Sequence, residues 1–478
     1  MKTKVSFLLL GLLFFLINCD GDDNQKNGGR QAELEILSTF PVHGGADVFP
    51  DTAITIRFNN ILTSPLPESA VIVSGTGTVN GECSLDENKT AIICTPAGKL
   101  DENTTYTVTV SADIEDSARD TLDSDYSFQF TTINRRGTET TPVFCNYESK
   151  YAPRGETLQF TTPLDNAVIQ TGTAADTGAS EPDAWADTDS ITLSSTGTII
   201  IFARATDMEG AIGNILTFSC EVVDSFPGVN SDQAIVGDDH LDRDDSSIIA
   251  WPSACAEFIP GLDRTSASPA FDDTGAALNG EDGFINIGNT GSLTLVFDPP
   301  LCDGTGPDLA VFENGFSTTG GLTAEYGYIE VSSDGHKFAR FDTATLRDPA
   351  SVPDPDTIMS GWDTTLDWGV MGKYPAGTGD LFDLEWLKNK REVVEGRVDL
   401  DRISHVRIVD IIGIDETRLM GPDESSWPRA DHKGLISSSL GNYDSSGSFG
   451  NTIFDEYPTV GTGGLEIDTI GALHVCAP

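Results

Sequence analysis

The chain has 478 residues, with 28 Lys+Arg against 75 Asp+Glu and a formal net charge of -47 at pH 7. That balance excludes a nucleic-acid footprint and polybasic docking on anionic lipid, both of which need clustered cationic side chains. Hydrophobic residues are 38%, enough for sizeable cores, and 48 Gly with 24 Pro among short runs of Val, Ile, Phe and Thr predict a turn-rich, all-β chain of several domains.

Lys2 and Lys4 precede an apolar run over residues 5–17. The run is short for a membrane-spanning helix and fits the apolar core of a signal peptide. Leu16-Ile17-Asn18-Cys19 resembles a bacterial lipobox, with Asn18 where a small residue is usual. The resemblance implies lipidation of Cys19, removal of the segment before it, and a membrane partner reached through the anchor in the cell envelope, at the outer membrane or cell surface. Plain cleavage is the alternative. Residues 20–31 are polar and Gly-bearing and read as a flexible tether.

The first domain is expected over residues 32–133. Ile54, Ile56 and Phe58 alternate with Thr55 and Arg57, and Tyr106, Val108 and Val110 alternate with threonines, which is strand periodicity. The Pro50-Asp51 turn before that first strand, the Leu100…Thr104…Tyr106-Thr107-Val108-Thr109-Val110 strand and the closing Phe128-Gln129-Phe130-Thr131-Thr132 resemble the bacterial Ig-like domain of the S-layer type. That family implies a two-sheet sandwich acting as a spacer, with no catalytic residues.

A second sandwich is expected over residues 138–224. Its strand around Ile199, Ile200, Ile201 and Phe202 is apolar on both faces, as a central strand is. The run from Thr198 to Gly210 resembles the β-sandwich appended to some glycoside hydrolases and chitobiases, which implies an accessory domain. Six Asp and one Arg lie between Asp232 and Asp245. They read as a solvated acidic linker, because the Gly and distal Glu of an EF-hand loop are missing.

Residues 233–478 have one character, with repeated strands and Gly/Asp turns that predict a larger jelly-roll sandwich. Only the stretch from Asp383 to Lys390 looks helical. Several ordered blocks resemble a group of bacterial cell-surface proteins: Gly306-Pro307-Asp308-Leu309-Ala310-Val311-Phe312-Glu313-Asn314-Gly315-Phe316, Glu330-Val331-Ser332-Ser333-Asp334-Gly335, Phe382-Asp383-Leu384, Val398-Asp399-Leu400-Asp401-Arg402, and Phe454-Asp455-Glu456-Tyr457-Pro458. Asp308, Glu313 and Asp468 offer hard oxygens near the first and last strands, and one structural Ca²⁺ is the cofactor expected there. The same carboxylates also suit the capping of turns.

Trp362, Trp368 and Trp427 fall in Gly/Asp-rich loops and are candidate stacking platforms for a glycan, or else rings packed beneath their loops. Setting Cys19 aside, Cys83 with Cys94 would staple a hairpin, Cys145 with Cys220 would join the ends of the second sandwich, and Cys255 with Cys476 would tie the last domain, leaving Cys302 over. No nucleophile elbow, HExxH or P-loop occurs. The expected task is extracellular binding or adhesion, to a glycan or protein ligand. The alternatives are a carbohydrate-active hydrolase and a structural surface-layer component.

Overall fold

The computed structural model describes residues 34–133, 142–261, 273–347, 361–411, 453 and 465–476, apart from residues 68, 87–88, 165, 177, 207–209, 211, 279, 281–282, 289–290 and 324. Cys19, the tether, Trp427 and the Phe454 block lie outside the described residues. Among the described residues the protein is all-β, and no helix is long and apolar enough to cross a membrane.

In the first sandwich, one sheet runs Ile36–Phe40, Ile54–Phe58, Ala91–Pro96, Gly81–Leu85 in spatial order, and the other runs Gly45–Val48, Tyr126–Thr132, Thr105–Val110, Val71–Ser74. The period-two pattern sets which face turns inward: Tyr106, Val108 and Val110 are buried while the threonines between them are not. They pack against Ile54, Ile56, Phe58, Phe128 and Phe130. Cys83 lies directly opposite Cys94 on paired strands, and the two are joined as a disulfide.

The second sandwich places Tyr151–Pro153, Leu216–Val223, Gly197–Thr206 and Val168–Ala174 in one sheet, facing Ser190–Thr192, Thr157–Thr161 and Phe144–Cys145. Cys145 and Cys220 are not bonded to each other. They sit on different sheets, and Cys145 turns its thiol onto the Tyr147 carbonyl, 3.2 Å away. Burial raises both thiols, Cys220 to about 12.

The third sandwich is antiparallel throughout its two sheets. One runs His240–Asp242, Thr378–Phe382, Leu309–Glu313, Glu466–Ala472, Ile285–Asn286; the other runs Ala254–Ile259, Ser292–Leu301, Ile403–Asp410, Gly327–Ser332, Ala339–Arg340. Early strands pair with late ones in both, as in a jelly roll: Leu309–Glu313 with Glu466–Ala472, and Ser292–Leu301 with Ile403–Asp410. Every residue of Gly327–Ser332 is buried: Ile329 and Val331 join the core, while on the other face Tyr328 packs with Tyr326, Val370, Ile411 and Ile453 and Glu330 pairs with Arg340 and Arg407. The expected helical stretch is a 3-10 turn, Leu384–Leu387, followed by one α-helical turn, Arg391–Val394.

Cys476 bonds Cys302, not Cys255. The backbone N–H of Cys476 donates to the Pro300 carbonyl at 2.9 Å, which sets it beside the end of the Ser292–Leu301 strand. Cys255 is buried in the core without a disulfide, paired in register with Leu295.

The third sandwich has its own core, and it also sends side chains into the core of the second. Trp368 and Ala344 pack among Tyr147, Tyr151, Phe160 and Phe226. The acidic join between them is largely exposed, as its composition predicts, and of its six Asp only Asp239 is buried. Asp239 is only 4% exposed, accepting from Tyr151 Oη at 2.7 Å and pairing with Lys150.

Candidate functional site

The calcium expectation named Asp308, Glu313 and Asp468 as ligands of one ion. The register separates them. Leu309 pairs with Ala472 while Glu313 pairs with Ile467, so Asp308 and Glu313 stand at opposite ends of one strand. At about 3.4 Å per residue they are roughly 17 Å apart. Asp468 lies toward the Glu313 end and binds Arg243 Nη1 at 3.3 Å. These three carboxylates cannot share a cation.

Asp308 has other acidic neighbours. Its carboxylate lies in a group with those of Asp303 and Asp383, one oxygen of each falling within 4.8 Å of the others. Three segments build this cluster. Asp308 enters the strand Leu309–Glu313, Asp303 follows the disulfide-bonded Cys302, and Asp383 caps the 3-10 turn Leu384–Leu387 by accepting from the Glu385 N–H at 3.0 Å. Asp308 is fully buried; its Oδ1 accepts from Gly304 N and faces His474 Nδ1, each at 2.8 Å, and its Oδ2 accepts from Leu384 N at 2.7 Å. Gly304 is needed for close approach, since a Cβ there would lie 2.3 Å from the His474 ring.

The electrostatics are those of a site short of positive charge. Burial raises Asp303 to about 6, and the Asp308 carboxylate adds to the rise. Burial also raises Asp308, against the opposing pull of the Leu384 and Gly304 N–H groups and His474. Asp383 is raised by burial too, offset in part by its Glu385 hydrogen bond. Asp303 Oδ1 is a buried oxygen with no hydrogen-bond partner. An orphaned carboxylate oxygen beside two more carboxylates matches the donor set of a hard cation. Asp303 and Asp383 were not singled out from sequence. The one available signal was Asp383 within the Phe382-Asp383-Leu384 block; Asp303 carries none beyond its place next to Cys302.

The tryptophan platforms are not platforms. Trp368 is 4% exposed and donates through Nε1 to Ser149 Oγ at 2.7 Å, with Tyr151 edge-on at 4.7 Å. Trp362 is 9% exposed and lies under the Arg347 guanidinium. Neither ring offers a free face for a sugar. A cavity of about 580 Å³ lies where all three sandwiches meet, lined mainly by apolar side chains that include Phe40, Val48, Phe49, Val143 and Phe144.

Residues 30–132 match the family described as the bacterial Ig-like domain, which takes in the whole first sandwich. No curated protein matches the chain. Among solved structures, it is similar to the N-terminal part of a bacterial S-layer protein, at 11% identity over 40% of this chain and 44% of that one, with a TM-score of 0.24. An L,D-transpeptidase from Mycobacterium smegmatis shares 16% identity over 30% of this chain and 55% of that one, with a TM-score of 0.19. Native alpha-2-macroglobulin from Escherichia coli shares 11% identity over 74% and 97%, with a TM-score of 0.25. The chain spans less than half the length of the S-layer protein it matches. Likeness at these scores carries no argument.

Proposed function

We propose that this is a cell-surface protein, tethered through a lipidated Cys19, whose first two sandwiches hold a calcium-stabilised jelly roll outward as a binding or adhesion module. The convergence of Asp303, Asp308 and Asp383, with a buried, unpartnered Asp303 oxygen, carries the reading. Ca²⁺ takes carboxylate oxygens in flexible geometry, and here it would relieve three carboxylates that burial disfavours. Held there, the ion would pin the Cys302–Cys476 corner to the 3-10 turn and shape the adjoining loops for an extracellular protein or glycan. The Ig-like match over residues 30–132 supports a spacer role for the first sandwich, and the leader and lipobox motif support export and anchoring.

The test is calorimetric titration of the chelator-treated protein with CaCl₂, alongside Asp303→Asn. A saturable heat with near-unit stoichiometry, lost in the variant, is the expected result; no heat above buffer dilution removes the ion from the proposal. A second reading has one observation in its favour. A carboxyl group raised to about 6 next to other carboxylates also fits a glycosidic general acid. Turnover of a bound polysaccharide, abolished by Asp303→Asn, would put that reading first.

A further inference from the structure

Asp342, Lys390 and Glu148 meet where the second and third sandwiches touch. Lys390 Nζ contacts Asp342 Oδ1, and the backbone N–H of Glu148 donates to Asp342 Oδ2 at 2.7 Å. The Glu148 carboxyl accepts from Asn389 Nδ2 at 2.6 Å. Asp342 and Glu148 are each 5% exposed, and the Lys390 side chain keeps 18%. Burial lifts Glu148 to about 7, only partly opposed by Asn389 and the Lys390 charge, so near neutrality a substantial fraction of it holds a proton. A buried ion pair is an expensive arrangement, because both charges have left water. Condensing the pair to a neutral amide abolishes both charges.

We propose that Lys390 and Asp342 become joined by an intramolecular amide bond that the protein forms unaided, with Glu148 as the proton carrier. A proton first passes from the Lys390 ammonium to Asp342 Oδ1, the oxygen it contacts, leaving a neutral amine against a neutral acid. The Nζ lone pair attacks Cγ, forming the C–N bond, and the carbonyl electron pair moves to Oδ2. The Glu148 N–H, already aimed at Oδ2, stabilises the charge that develops there. The Glu148 carboxyl delivers its proton to Oδ1 and is reprotonated from Nζ. The Cγ–Oδ1 bond breaks, Oδ1 leaves as water and the Oδ2 carbonyl re-forms. One water is lost, and nothing is oxidised or reduced.

Contact between the reactants supplies the effective concentration. Burial works against the Lys390 charge, but the Asp342 carboxylate, with Glu148 and Glu392 adding to it, offsets it, so the neutral pair is the minor form and the step is slow. A bond made once per molecule tolerates that. Cys145 borders the same group, but burial keeps its thiol protonated and out of competition.

Mass spectrometry of the reduced, denatured full chain and of its tryptic digest decides the matter. The expected chain mass is one water below that of the uncrosslinked sequence. The digest should yield a branched peptide in which residues 341–347 are attached through Asp342 to Lys390 of residues 389–391. Lys390→Arg keeps the ion pair and should restore the full mass. Glu148→Gln, which keeps a side chain able to accept from Asn389, should slow or abolish the bond while leaving circular dichroism unchanged. Recovery of Asp342 and Lys390 only in linear peptides of the wild-type protein overturns the proposal.

Discussion

At the scale of single residues, the useful signal is where a carboxyl group sits against its preference. Asp303 has a half-buried side chain, one orphaned oxygen and two acidic neighbours. For an acid whose folded-state value is raised, the fold prefers the proton. Stability from Asp303 is therefore complete below the unfolded value of ~4 and falls as pH rises toward about 6, staying lost above it. Asn removes the charge and keeps the size. After discounting for solvent screening of a partly exposed group, Asp303→Asn should stabilise the metal-free protein by about 1 kcal/mol at pH 7.5. The gain should vanish near pH 4, and it should reverse against wild type when saturating CaCl₂ is present. Urea titrations at both pH values check this; a variant less stable than metal-free wild type at pH 7.5 would mean that the carboxylate is satisfied by the fold itself.

At the scale of elements, strands were most legible where one face is buried and the other is not. Alternation at Ile54, Ile56, Phe58 and at Tyr106, Val108, Val110 gave both position and facing. The leading Asp308 of the cluster was legible as an oxygen donor at a turn, but its partners were not. Asp303 and Asp383 reach it from loops whose meeting depends on sheet register, and local sequence does not encode register between strands far apart in the chain. The tryptophans failed for the same reason, since Trp368 is enclosed by residues such as Ser149 from another domain. Cysteine pairing is likewise a matter of which strand ends coincide. Cys83 and Cys94 face each other across a hairpin, whereas Cys302 and Cys476 are 174 residues apart. Loop-closure entropy predicts that removing the long-range bridge costs about 5 kcal/mol and the hairpin bridge about 3 kcal/mol. Paired Cys→Ser variants followed by denaturant unfolding test the order, and a larger loss at Cys83–Cys94 would show that strain or residual structure dominates.

At the scale of the whole molecule, the decisive feature is that side chains of the third sandwich complete the core of the second. Trp368, carried by the third, is stacked near Phe226 and edge-on to Tyr151, and the Lys373 ammonium lies 4.8 Å above its ring. Lys150 with Asp239 adds a half-buried ion pair at the same joint, and the Glu148 N–H donates to Asp342 across it. Contacts of this kind couple unfolding, because neither sandwich can open without exposing an aromatic that belongs to both. Such a joint holds the third sandwich at a fixed angle to the second, whereas a flexible linker would let it swing. Trp368→Ala removes the shared ring and should cost about 3–5 kcal/mol. Its sharper consequence is a change in cooperativity. Scanning calorimetry of the wild-type protein should show one transition for the two coupled sandwiches. The variant should split it in two, and the earlier component should be the second sandwich, which has the smaller sheets. A variant that loses stability yet still melts in a single transition would mean that the polar contacts alone carry the coupling, and the stiffness of the joint would then rest on charged contacts that salt can weaken.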